Sequence, residues 1–134
     1  MKKLLMCLTL VSAPLLAADG VEDPCNMQGG GVMAGYLCVE QKIKAADAEL
    51  NKTYQQAIIR IREEETVLRK TWSETELVEP FRASQRAWLK FRDAECEFVG
   101  LSSTPSPWQG VQIEECKLEM ILERIEYFKG VFWG

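Results

Sequence analysis

The chain has 134 residues, with 20 acidic side chains against 16 basic ones and no histidine, for a net charge of −4. That balance argues against nucleic acid or an anionic membrane as the main partner. The lack of histidine removes the usual general base, and with it any Ser–His or Cys–His nucleophile.

The chain opens with the marks of a secretory leader. Lys2 and Lys3 form a short positive segment, Leu4 to Leu16 an apolar stretch, and Ala17 and Ala18 a small-residue cleavage site before Asp19. The apolar stretch is shorter than the roughly 20 residues a membrane span needs. Cys7 lacks the features of a lipid-anchor site: Met6 precedes it where a small residue belongs, and only part of the apolar stretch lies ahead of it. We expect residues 1–18 to be removed, leaving 19–134 as one soluble domain in the periplasm or outside the cell. Loss of Lys2 and Lys3 makes that domain more acidic by two charges.

Cys25, Cys38, Cys96 and Cys116 remain. An even count in an oxidising compartment reads as two disulfides with three connectivities. We expect the local pairing, Cys25–Cys38 and Cys96–Cys116, with the others left open. Each bridge would contribute roughly 3 kcal/mol on the loop-entropy account. Zinc is the rival use of four cysteines, but histidine and Cys-x-x-Cys pairs are lacking, so no metal and no cofactor is expected.

From Asp19 to Gly35 the sequence has loop chemistry, with Pro24, Asn26 and the Gly29-Gly30-Gly31 run. The glycines lack the flanking strand and Lys-Ser/Thr of a phosphate loop, so they read as a turn. A long amphipathic helix is predicted over 37–69. Val39, Ile43, Ala46, Leu50, Tyr54, Ala57, Ile58, Ile61 and Leu68 recur at helical spacing on it. The Glu63-Glu64-Glu65 run reads as a solvated face. Trp72 to Pro80 is a break, in which Ser73 and Glu76 resemble a capping box and Pro80 suits a first turn. The second helix starts between Ser73 and Pro80 and runs to about Val99, with Phe81, Trp88, Phe91 and Phe98 on its apolar side. Gly100 to Gly110 is a second break. The third helix covers about 111–129, with Leu118, Ile121, Leu122, Ile125 and Phe128 as its stripe and Gly130 as terminator. The fold class is all-α: a compact bundle of three helices, an antiparallel hairpin plus a C-terminal helix, stapled by two disulfides.

Two patterns stand out on those helices: Asp47-x-x-Leu50-Asn51-x-x-Tyr54 on the first and Gln85-x-x-Trp88-x-x-x-Arg92-Asp93-x-x-Cys96 on the second. The third adds Cys116 and Arg124. The combination resembles the LprI-like lysozyme-inhibitor family of small secreted helical proteins, from about Cys25 to Phe128, and the second-helix motif is the specific part. The resemblance implies a non-catalytic binding protein whose partner is a lysozyme or another cell-envelope protein.

Helical spacing puts Gln85, Trp88 and Arg92 on one face, and Asp47, Leu50, Asn51 and Tyr54 on another. Packed together they would form a polar seam, with Arg92 paired to Asp47 or capping carbonyls near a disulfide. A buried charge without a partner would cost several kcal/mol. A surface recognition face is the alternative reading. The carboxylates Asp47, Asp93, Glu95 and Glu97 all sit in regular helix with no pocket signal, so catalysis is not expected. The Gly100–Gly110 segment is the candidate binding loop, through the hydroxyls of Ser102, Ser103 and Thr104 and the ring of Trp108; its alternative is a simple connection with Trp108 folded onto the core. Val131, Phe132 and Trp133 either close the apolar end of the bundle or mark a partner site.

Overall fold

The computed structural model describes residues 22–131, and three helices account for most of them: α1 (Gly31–Leu68), α2 (Val78–Ser102) and α3 (Gln109–Gly130). The leader read in 1–18 and the aromatic pair Phe132 and Trp133 lie outside the described residues.

Helix α1 starts six residues earlier than its apolar stripe suggests, within the glycine run itself. Gly29 and Gly31 take φ of 75° and 61°, the left-handed region that glycine enters without steric cost, and the helix leaves directly from that turn. Its 38 residues extend for roughly 57 Å at helical rise. Val39, Ala46, Leu50, Ala57, Ile58 and Ile61 are buried along one side. Thr53 is buried among them, and its hydroxyl donates to the carbonyls of Glu49 and Leu50 at 2.9 and 3.0 Å, so no polar atom is stranded there.

The turn into α2 depends on Glu65. Its Oε2 accepts from the backbone N–H groups of Leu77 and Val78 at 2.8 and 3.1 Å, capping α2 from the preceding helix. Arg69 holds the other carboxylate oxygen at 3.1 Å and donates from Nε to the Thr75 carbonyl at 2.7 Å. The glutamate run is therefore not simply a solvated face, and the Ser73/Glu76 capping box does not form: Ser73 Oγ contacts Glu74 instead. Pro80 sits in the first turn of α2 as expected.

The helices alternate in direction, so α1 and α3 run parallel and α2 runs antiparallel to both. Helix α3 packs extensively on α1 and on α2, whereas α1 and α2 touch each other little. The core follows from that arrangement: Ile121, Ile125 and Phe128 of α3 meet Leu50, Ala57, Ile58 and Ile61 of α1 and Phe81 of α2. Phe128 is fully buried, with the rings of Tyr54 and Phe81 at 5.5 and 5.6 Å. Arg60 of α1 donates to the carbonyls of Phe128 and Val131, satisfying the C-terminal end of α3.

Both disulfides are local: Cys25–Cys38 ties the N-terminal turn to α1, and Cys96–Cys116 joins α2 to α3. Three apolar residues read as core are on the surface instead: Phe91 and Phe98 are 57% and 65% exposed, and Leu122 is 50% exposed. Phe81, Gln85, Cys96 and Gly100 define the inward side of α2, and Phe91 and Phe98 lie well round the helix from it.

The Leu77 and Val78 N–H groups, with Arg69 and Arg62 assisting, hold the Glu65 carboxyl below its ordinary value of 4.5. A carboxylate depressed in the folded state contributes stability above its unfolded pKa and loses it as pH falls through the folded pKa. Denaturant unfolding followed between about pH 6 and pH 3 should show stability declining below about 4.5. Glu65→Gln, which keeps an acceptor without the charge, should show a shallower decline; identical profiles would contradict the capping role.

Candidate functional site

Helix α2 carries Gln85, Trp88 and Arg92 on the face turned toward the bundle, and α3 brings Arg124 against them. Gln85 is buried, and its Oε1 accepts from Arg124 Nε at 2.9 Å. The Arg124 guanidinium lies over three rings: Tyr127 at 4.5 Å, Phe128 at 5.0 Å and Trp88 at 5.3 Å. Burial pushes its pKa down, partly offset by Tyr127, yet an arginine so far above neutrality stays charged. A cation taken out of water here is compensated by an amide oxygen and ring faces.

Arg92 approaches Trp88 as well, at 5.6 Å. Its Nε and Nη2 both donate to Asp93 Oδ1, at 2.9 and 2.8 Å. The expected Arg92–Asp47 pair is therefore replaced by a bond to the next residue in the chain. Asp47 is half-buried and Asn51 exposed, while Tyr54 lends its ring to the core, stacked on Phe81 at 5.7 Å. The seam thus runs between α2 and α3, with Arg124 as its central cation, rather than between α1 and α2.

Between α1 and α2 the same motif residues leave an open cleft of ≈ 430 Å³, lined by Asp47, Leu50, Asn51, Tyr54, Arg82, Gln85, Arg86, Leu89 and Arg92. Its arginines are already engaged: Arg86 and Arg82 face Glu79 at 2.7 and 3.9 Å, and Arg92 holds Asp93. The Arg86 bond lowers the Glu79 pKa. Among the described residues no cluster of His, Cys, Asp or Glu could hold a metal ion.

The Gly100–Gly110 segment is partly helical, because α2 continues to Ser102. Its hydroxyls turn back on that helix. Ser102 and Ser103 donate to the Val99 carbonyl at 2.7 and 3.4 Å, and Thr104 donates to Leu101 at 2.6 Å. They satisfy orphan carbonyls at a helix end, so their hydrogens are not directed at a partner. Trp108 is 43% exposed, with one edge folded onto α1: a Cβ at Gly35 would fall 2.9 Å from its Cζ3.

Sequence reasoning passed over Trp72, which is 63% exposed at the turn between α1 and α2. That turn is braced by the Glu65 and Arg69 bonds and by the Thr75 N–H on the Trp72 carbonyl at 3.1 Å. A tryptophan without helical partners in a polar break was the available signal. Tyr127, which completes the ring set around Arg124, was signalled by its place one turn along α3.

The model of the family described as lysozyme inhibitor LprI matches residues 25–128, nearly the whole described chain. The protein belongs to the LprI family. It is 29% identical over 94 residues to an uncharacterized protein of Rhizobium meliloti (strain 1021), covering 69% of this chain and 68% of that one. It is 41% identical over 63 residues to the uncharacterized protein YecT of Escherichia coli (strain K12), covering 46% of this chain and only 38% of YecT. No solved structure matches the chain. LprI membership and the two disulfides make it an extracytoplasmic, lysozyme-inhibitor-like protein. Among the described residues no helix is long and apolar enough to cross a membrane.

Arg124→Ala should destabilise the fold by about 2–3 kcal/mol, because it removes the ring contacts and leaves the Gln85 oxygen buried without its donor. Arg92→Ala, whose bond is to exposed Asp93, should cost about 1 kcal/mol. Urea unfolding of the two variants checks the order; a larger loss for Arg92→Ala would return the seam to α1 and α2.

Proposed function

We propose that this chain is a periplasmic or secreted, non-catalytic binding protein, released from a leader at residues 1–18, that inhibits a lysozyme by protein–protein contact. The family match over 25–128 carries the reading. The physical chemistry is compatible with it. Lysozymes are commonly basic and open a cleft lined with catalytic carboxylates. The released domain, two charges more acidic than the whole chain's −4, would be steered toward such an enzyme. Nothing in the inventory of side chains supplies a hydrolytic centre, so binding is the activity we assign.

The two interhelical turns sit at opposite ends of the bundle and each presents a tryptophan. The Ser102–Trp108 turn is the one the sequence nominates, through Ser102, Ser103, Thr104 and Trp108. Geometry favours the other. Trp72 is the more exposed, and its turn is braced so that little ordering entropy is lost when a partner covers it. We therefore assign the inhibitory anchor to Trp72 and a mainly packing role to Trp108. The alternative function is that of a cell-envelope adaptor that binds another envelope protein and leaves lysozymes alone.

The test is cell-wall lysis by a panel of lysozymes with the oxidised domain titrated to excess. Saturable inhibition of one class is expected. Trp72→Ala should weaken it by about tenfold or more with an unchanged melting temperature. Trp108→Ala should lower the melting temperature and leave inhibition by the folded protein intact. A correctly folded domain that inhibits no class would favour the adaptor.

A further inference from the structure

We propose that the protein forms a twofold-symmetric dimer through the outer face of α2, in an antiparallel pairing with a second copy of the chain. The proposal stands independently of lysozyme binding.

Ser84, Ala87, Phe91, Ala94, Phe98 and Leu101 follow one another at alternating steps of three and four along α2. That is the spacing of a helix–helix seam. All six are exposed, with Phe91, Phe98 and Leu101 at 57%, 65% and 52%. The inward side of α2 is already occupied, since Phe81, Gln85, Cys96 and Gly100 are buried against the bundle. This is thus a second apolar stripe on a helix whose first stripe is in use. Scattered exposed apolar residues need no explanation, but an aligned row containing two phenylalanines is an unpartnered surface.

Two features point to a second copy as its occupant. The first is size. When two copies of the stripe are laid antiparallel with Phe91 opposite the second copy's Ala94, Phe98 falls opposite Ala87 and Leu101 opposite Ser84. Every large side chain then meets a small one, and the twofold axis repeats each pairing. Ala83, Arg86, Ala87, Leu89 and Lys90 line a shallow depression on this side of the helix, where the second copy's Phe98 would rest. The second feature is charge. In that register exposed Lys90 flanks the seam opposite the second copy's Glu97, so two opposite-charge pairs frame the contact. The pattern is self-complementary, as a contact between identical surfaces requires.

One helix face buries less than a standard interface, so the dimer should be weak and concentration-dependent. Sedimentation velocity of the oxidised domain at roughly 100 µM should give about twice the monomer mass, falling to the monomer on dilution. Phe98→Glu, at a surface position, should leave helicity and melting temperature unchanged and abolish the dimer. Lys90→Glu should weaken association, and adding Glu97→Lys in the same chain should restore it, because the swapped charges face each other again only in the antiparallel register. A wild type monomeric at that concentration overturns the proposal, as does a Phe98→Glu variant that still dimerises. Failure of Glu97→Lys to rescue Lys90→Glu overturns the pairing proposed here.

Discussion

Helix α2 is held in this molecule mainly through α3, and that seam is the constraint from which the rest follows. Three rungs cross it. Phe81 packs edge-on to Phe128, Gln85 accepts from Arg124, and Cys96 is bonded to Cys116. One rung is apolar, one polar and one covalent, so each answers a different demand. The phenylalanine pair removes area from water. The disulfide limits how far α2 and α3 separate in the unfolded chain. The amide–guanidinium bond rejects other alignments, because a shifted register would strand a buried oxygen and a partly buried cation together. With α2 fixed on α3 and α3 fixed on α1, the small direct contact between α1 and α2 suffices, and the open cleft between them is its consequence.

That arrangement separates architecture from recognition. The residues that make the family motif distinctive are turned inward or paired with one another. The two turns, the outer side of α2 and the cleft between α1 and α2 are open to solvent. Glu65 and Arg69 stiffen one turn, and the hydroxyls of Ser102, Ser103 and Thr104 finish the helix at the other. A turn already held in shape loses less entropy when a partner covers it.

Much of the fold was legible because helices announce themselves locally. The stripe from Val39 to Ile61 needs only a helical period, and the close spacing of each cysteine pair made the local bridges the expectation that the structure matches. Two departures come from tertiary contacts that no local pattern encodes. Arg92 and Arg124 are equivalent as text, and only the way α2 and α3 meet decides which one reaches Gln85. Glu65 looked solvated because it ends a run of acids, yet the chain folds back to bring two unpaired N–H groups to it. Phe91 and Phe98 were placed in the core on hydrophobicity alone, although their angular distance from Phe81 and Gln85 already put them elsewhere on the helix. On α2 the angular spacing of the apolar residues, more than their type, decides which side is buried.

The central claim is that the motif serves the α2–α3 seam through one specific coupling. A double-mutant cycle of Gln85→Ala and Arg124→Ala, read by denaturant unfolding, measures that coupling directly. The account predicts an interaction energy of about 1–2 kcal/mol, with the second substitution costing much less once the first is made. Strictly additive losses would show that the two residues act separately and that the seam is held by apolar packing and the disulfide alone.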